Sequence, residues 1–142
     1  MAKPTIAAMD GSDWAQMREQ VAHVSAMLKK RYGDATLDAS MADIALLQRA
    51  FDDEVYDAVT DGDHIRGLGA AFGNVVSKQL NFEWVAEDDG RNREPVLRLK
   101  TNSKLVINPG YTLLRQATAG EKIDLMGLYK TIQADVKRSS LI

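Results

Sequence analysis

The segment Gly67-Leu68-Gly69-Ala70-Ala71-Phe72-Gly73 constrains this chain more than any other. Around it, Ile65, Leu68, Phe72, Val75, Val76 and Leu80 recur at helical spacing and define one buried stripe. Yet Gly67, Gly69 and Gly73 each cost a helix about 1 kcal/mol relative to alanine. A helix that keeps three glycines is expected to use them for close approach of another backbone. Asn81 ends this helix, and an alternating strand follows at once, with Phe82, Trp84 and Ala86 on one face and Glu83, Val85 and Glu87 on the other. The glycine helix and the tryptophan strand together mark the expected centre of the fold. The expected roles of Gly67, Gly69, Gly73, Trp84 and Pro109 are therefore structural, with Trp84 in the core.

The rest of the chain supplies four more helices and two more strands. Residues 1–11 read as a flexible leader, and 12–142 as one domain. Ser12 or Asp13 is positioned to cap a first helix whose stripe is Trp14, Met17, Val21, Val24 and Leu28, with Gly33 as its stop. Ser40-Met41-Ala42-Asp43 resembles a capping box, and Ile44, Leu47, Phe51, Val55 and Val59 follow as the second stripe. After the tryptophan strand, Asp88-Asp89-Gly90-Arg91-Asn92 reads as a turn. Val96–Lys100 and Leu105–Ile107 complete a three-stranded antiparallel meander, in which Glu83 and Glu87 can pair with Arg98 or Lys100. Asn108-Pro109 is a helix start, with asparagine as the cap and proline at the first helical position. Tyr111, Leu114 and Ala117 are expected on the inner side of that helix. A last helix begins near Asp124 and buries Leu125, Leu128, Tyr129, Ile132 and Val136. The order ααα-βββ-αα is an α+β fold with helices against one face of a small sheet.

Several chemistries are disfavoured by what the chain contains. With no cysteine, disulfides, thiolate metal sites and cysteine nucleophiles are excluded. The glycine spacing is one residue too long for a dinucleotide fingerprint, and it lies inside a helix that precedes a strand rather than after one. Asp61-Gly62-Asp63-His64 opens like a calcium loop, but an EF-hand frame from Asp61 puts Phe72 at the twelfth position, where the bidentate glutamate is required. A hard-cation site from Asp57, Asp61 and Asp63 competes with a simple helix cap, and the cap explains the same residues. Two histidines, His23 and His64, are few for a transition-metal centre. No catalytic residue, metal or cofactor is assigned. Arg91, Arg93, Arg98, Lys100 and Lys104 form a basic strand face, but it lacks aromatic residues for base stacking, so nucleic acid is a weak candidate partner. The first helix's stripe spans only two heptads; a homodimer seam there stays open, with a core face the simpler account. No apolar run approaches a membrane span, and the amino-terminal residues lack an apolar signal region, so the expected location is cytoplasmic.

Charge is segregated along the chain. Residues 1–90 carry 16 acids and 8 Lys/Arg, a balance of −8; residues 91–142 carry 4 acids and 10 Lys/Arg, a balance of +6, and the total is −2. The change of sign falls in the hairpin turn. Interleaving of the two halves would neutralise them; separate faces would give the molecule a dipole.

The run Leu68–Gly73, Trp84 with Glu87-Asp88 and Gly90, Pro95, and Asn108-Pro109 before a helix together resemble the bacterial domain-of-unknown-function family numbered 3806. The resemblance covers about residues 35–135, most of the chain. Its landmarks are glycine, tryptophan and proline, which report fold rather than chemistry. Arg91-Asn92-Arg93-Glu94 before Pro95 reads as an insertion that lengthens the usual turn. The resemblance implies a small bacterial cytosolic protein without an established enzyme activity, and it carries over no catalytic residue.

The leading functional expectation is a protein-binding module, immunity- or antitoxin-like. Its acids Asp52, Asp53, Glu54, Asp57, Asp61, Asp63, Glu87, Asp88 and Asp89 would present one surface to a basic effector protein. The alternative is an enzyme with a pocket between the glycine helix and the sheet, walled by Trp84 and Tyr111, with Asp88 or His64 moving the proton.

Overall fold

A computed structural model of the chain describes residues 4–33, 36–53 and 62–140. The elements run β1 (Thr5–Ala8), α1 (Gly11–Tyr32), α2 (Ala42–Asp52), α3 (Gly62–Leu80), β2 (Phe82–Asp88), β3 (Arg93–Leu99), β4 (Asn102–Ile107), α4 (Pro109–Thr118) and α5 (Leu125–Ser139). The class is α+β, as the pattern of stripes implies. The sheet, however, has four antiparallel strands in the order β1-β2-β3-β4 among the described residues, not three. The added strand lies in the expected leader. Thr5 pairs with Asp88 and Ala8 with Val85, so β1 forms the sheet edge beside β2. It is short and mostly exposed, with only Ile6 half-buried, and it therefore leaves no alternation in the sequence.

The glycine-bearing helix α3 is the hub. Of its stripe, Ile65, Leu68, Phe72, Val75 and Val76 are fully buried and Leu80 is half-buried. One apolar cluster joins it to Val24 and Leu28 of α1, Leu47 and Phe51 of α2, Phe82, Leu97 and Leu99 of the sheet, and Tyr129 and Ile132 of α5. Each glycine admits a different neighbour. A Cβ at Gly67 would lie 2.3 Å from Val24 Cγ2 of α1, one at Gly69 2.8 Å from the Gly110 Cα of α4, and one at Gly73 2.5 Å from the Trp84 ring of β2. The close approach to a backbone expected of these glycines is thus met at Gly69, and at Gly67 through the Gln20 carbonyl oxygen of α1, 2.8 Å from the same added Cβ. Gly73 makes room for an indole instead. The crossing of α1 and α3 near Gly67 also brings the two histidines together. His23 Nε2 and His64 Nε2 are 2.7 Å apart, so one imidazole donates to the other.

Helix ends follow the chemistry of their caps, with some shifts. α1 is capped by Asp10 rather than by Ser12 or Asp13. Asp10 accepts from the Asp13 N–H, and the Asp13 side chain accepts from the Asp10 N–H, a reciprocal box two residues earlier than expected. Gly33, at φ 81°, stops the helix as anticipated. α2 has no side-chain cap at Met41. The expected box partner Asp43 is instead buried, and its carboxylate accepts from the Asp38 and Ala39 N–H groups. That holds Ala39 at φ 63°, a left-handed conformation rare for alanine. Val55 and Val59 lie outside the described residues. Asn108 caps α4 through the Tyr111 N–H, with Pro109 at the start as read from the sequence.

The inner face of α4 differs from expectation. Pro109, Leu113 and Ala117 are buried, while Tyr111 is 58% exposed. Tyr111 and Leu113 are two residues apart, so they lie on opposed sides of the helix. Since Gly69 brings α4 against α3, the face is set by where Gly110 must sit. At the start of α5, Gln48 acts as a two-way clamp: it donates to the Ile123 carbonyl and accepts from the Leu125 N–H.

The α3–α4 contact yields a direct test. Alanine is the better helix former by about 1 kcal/mol. Gly69→Ala should nevertheless lower stability by about 1–3 kcal/mol, because the added methyl meets backbone that cannot turn away. Gly11→Ala, where nothing lies within 4 Å of the added atom, should not lower it. Urea melts of both variants would read the difference, and an unchanged midpoint for Gly69→Ala would contradict this packing.

A polar cleft beside Trp84 and its relatives

The close packing around α3 leaves a cleft of about 540 Å³ where α1, α3, the β2–β3 hairpin and the start of α4 meet. That volume is in the range of small-ligand sites. Gly69 and Ala70 of α3 form its base, with Gly110 beside them. Beneath lies a second apolar cluster, Met9, Met17, Ala70 and Ala86, against which Trp84 also packs. β4 stops opposite Leu97, with Ile107 as the partner, so among the described residues the stretch of β3 from Arg93 to Val96 has no strand on that side. The hairpin's outer part therefore borders the cleft rather than a continuous sheet.

Trp84 and Tyr111 both line this space, as the pocket reading anticipated. Trp84 is half-buried rather than fully enclosed, so it serves the core and the cleft at once. Its indole is fixed from two sides: Nε1 donates to Asn74 Oδ1 at 2.9 Å, and the ring edge abuts Gly73. Opposite the core, Asn108 links two further features. Its Oδ1 accepts from the Tyr111 N–H, and its Nδ2 donates to Glu94 Oε1 at 3.0 Å. One amide thus ties the Glu94 carboxylate to the first turn of α4.

Arg93 organises the hairpin's side of the cleft. Its guanidinium donates from Nε and Nη2 to the Asp13 carboxylate, the shortest contact being 2.7 Å, and it lies 3.6 Å from Asp88 and 3.8 Å from Asp10. The Arg93 hydrogen bonds, with help from the Asp10 N–H, hold the Asp13 carboxyl at about 2, well below its usual 3.8. The hydrogen bonds of Asp13 likewise keep Arg93 firmly charged. At the hairpin tip, Asp89 Oδ1 accepts from the Arg91 and Asn92 N–H groups, and these bonds lower its pKa. Of the four residues that read as an insertion, Arg91 and Asn92 belong to the turn, and Arg93 and Glu94 open β3.

The acids expected to form one surface are distributed. Asp52 and Asp53 close α2, where Asp53 accepts from the Tyr32 hydroxyl at 2.5 Å and lies 3.9 Å from Arg49. Tyr32 ends α1, whereas Asp88 lies beside Arg93 and Asp13 at its beginning. Those ends are 19 residues, or about 28 Å, apart along the helix. Glu87 and Asp89 border the cleft, and Asp88 is the partner of Arg93. Glu54, Asp57 and Asp61 lie outside the described residues, and Asp63 is placed in the first turn of α3 without a described side chain. His64 meets His23 and does not line the cleft. The basic strand face is divided too: Arg93 serves Asp13, Arg98 pairs with Glu83 at 2.7 Å, and Arg91, Lys100 and Lys104 are exposed. The acidic first part of the chain and the basic second part thus interleave at the sheet. Sequence reasoning missed Asn108's second bond and the Arg93–Asp13 tie, since both partners lie far apart in sequence.

The Arg93–Asp13 tie has a pH signature. Asp13 has a folded pKa below its unfolded one, so its stabilising effect is complete above about pH 4. It fades as pH falls towards the folded value of about 2. Arg93→Ala should return the Asp13 carboxyl towards 3.8 and remove this segment of the acid-stability profile. A carboxyl carbon NMR titration reads the first effect; an Asp13 midpoint unmoved by the substitution would show that Arg93 is not its cause.

Comparison with known proteins places these features in a family. No curated protein matches the chain. Its fold is similar to that of a crystal structure from Bacteroides thetaiotaomicron VPI-5482, at a TM-score of 0.81 and 16% identity, over 93% of this chain and 48% of that one. That likeness concerns the fold alone, and this chain spans about half the length of its structural relative. Among the described residues, no helix is long and apolar enough to cross a membrane. The profile of the family described as Domain of unknown function (DUF3806) matches residues 43–129, a span that includes α3, the hairpin, Asn108 and Tyr111. That span is more than half of the chain, and the protein belongs to the DUF3806 family.

Proposed function

We propose that this protein is a binding domain for a small polar molecule, held in the cleft between α3 and the β2–β3 hairpin. The observation that carries the reading is the cleft's composition. An apolar base and two aromatic rings give area for contact, and charged or amide groups from four separate elements surround them. Trp84, Asn108 and Arg93 are each held by hydrogen bonds within the protein, so the walls are set before any ligand arrives. Asp13 and Asp89 are held ionised by their donors. They serve as acceptors at neutral pH rather than as proton donors, which favours binding over acid–base catalysis.

An acidic docking surface for a basic effector protein gains less from this arrangement. Asp52–Asp53 and Asp88–Asp89 lie towards opposite ends of α1, and Asp53 is already engaged by Tyr32 and Arg49. The hairpin tip at Asp88-Asp89-Gly90 remains the part of that reading with geometric support, because it projects beside the cleft.

The test is a thermal-shift screen of polar metabolites against the natural chain and Tyr111→Ala. Tyr111 is exposed, so its removal should leave the fold intact. A ligand at a hundred times its Kd should stabilise the natural chain by about 2.7 kcal/mol, and Tyr111→Ala should lose most of that gain. Hits that stabilise both proteins equally would place the ligand elsewhere, and a screen without hits would count against the reading.

A further inference from the structure

The His23–His64 pair lies outside the cleft, and the binding reading above makes no use of it. Two histidines 41 residues apart are few for a metal centre on spacing alone, but the fold brings them to one point. Their Nε2 atoms are 2.7 Å apart, their ring centroids 4.7 Å apart, and their planes within 12° of parallel. The centroids are further apart than the nitrogens, so the rings meet nitrogen to nitrogen and not face on face. The backbone sets this meeting. His64 lies one turn before Gly67, and His23 adjoins Val24, the residue that fills the space beside Gly67. The crossing of α1 and α3 therefore holds the two rings together.

A neutral imidazole has one N–H and one lone pair, so the contact uses the N–H of one ring and the lone pair of the other. The same kind of atom, a neutral imidazole nitrogen, is the commonest protein ligand of transition metals. Zinc–imidazole bonds are about 2.0–2.1 Å long, and a tetrahedral angle between two of them separates the nitrogens by about 3.3 Å. Reaching that spacing from 2.7 Å takes an opening of about 0.6 Å. His23 is exposed on α1, so its ring has room to yield and the ion has a way in from solvent. The proton between the rings leaves to the other nitrogen of its ring or to water, and both Nε2 lone pairs then face the ion. Among the described residues, no group of three or more histidine, aspartate or glutamate side chains converges on a point. The pair thus supplies two ligands, and water completes the coordination from the exposed side. Hard cations such as Mg²⁺, which need several converging oxygens, find no such set here among the described residues.

We propose that His23 and His64 form a binding site for a late first-row divalent metal ion, of the Zn²⁺ class, which joins α1 to α3 through the two Nε2 atoms. The site is separate from the cleft and stands whether or not the cleft binds a small molecule.

The experiment titrates zinc chloride and magnesium chloride into the full chain, isotope-labelled at its histidines, and follows the ring nitrogens by NMR. Zn²⁺ is expected to saturate at one equivalent and to move the Nε2 resonances of both rings together, whereas Mg²⁺ moves neither. His23→Ala should weaken Zn²⁺ binding by about ten-fold or more. Zn²⁺ should also raise the melting temperature of the natural chain, and His23→Ala should lose that gain. Nε2 resonances that stay in place under excess Zn²⁺, or an affinity unchanged by His23→Ala, would overturn the site. An equal response to Mg²⁺ would overturn the class of ion. His23 is exposed, so His23→Ala should give a native circular dichroism spectrum. His64→Gln is the second variant and should show the same loss of Zn²⁺; retained affinity in a folded His64→Gln would equally overturn the site.

Discussion

Close contact between α3 and three different neighbours is the constraint from which the rest of this structure follows. Gly67 lets α1 approach, Gly69 lets α4 approach at Gly110, and Gly73 gives room to the Trp84 indole. Each missing side chain weakens the helix locally, by about 1 kcal/mol. The loss is offset by burying the α3 stripe against elements drawn from both ends of the chain. The same approaches determine the cleft. With Gly69 beneath Gly110, Asn108 and Tyr111 are brought to the end of the hairpin. With Trp84 seated on Gly73, the indole becomes a wall and not a plug.

Ion pairing then attaches the hairpin to this frame. Arg93 reaches from β3 to Asp13 near the start of α1, a link between residues 80 apart in sequence. It gathers Asp10 and Asp88 as well, so these carboxylates are neutralised locally. Bulk charge along the chain conveys none of this, because the acidic and basic parts meet across the β2–β3 ladder, at Glu83 with Arg98 and Asp88 with Arg93.

Much of the frame was legible in the sequence, for physical reasons that also explain the omissions. The α3 stripe, the Asn108-Pro109 start and the Gly33 stop depend on neighbours within a turn or two, and local spacing reports them. β1 does not, since a short exposed edge strand has no apolar period and depends on its partner β2. Tyr111 was assigned to the wrong side of α4, because spacing alone allows either Tyr111 with Leu114 or Pro109 with Leu113 to face inward. Contact with Gly69 decides between them. Asp43 resembled a cap and proved to be a buried carboxylate supporting the loop before α2. For the cleft, the two aromatic walls were foreseen, but the arrangement of Glu94, Asn108 and Arg93 arises from long-range contacts that no local pattern encodes.

The claim that α3's small residues shape the cleft is tested most directly at Gly73. A Cβ there would lie 2.5 Å from Cη2 and Cζ2 of Trp84, whose Nε1 is tied to Asn74. In a chain whose Trp14 is replaced by phenylalanine, so that Trp84 is the single tryptophan, Gly73→Ala should push the indole towards the cleft and shift its emission to longer wavelength, while circular dichroism stays native. Emission unchanged by Gly73→Ala would contradict the account, because Trp84 would then owe its position to something other than the space this glycine leaves.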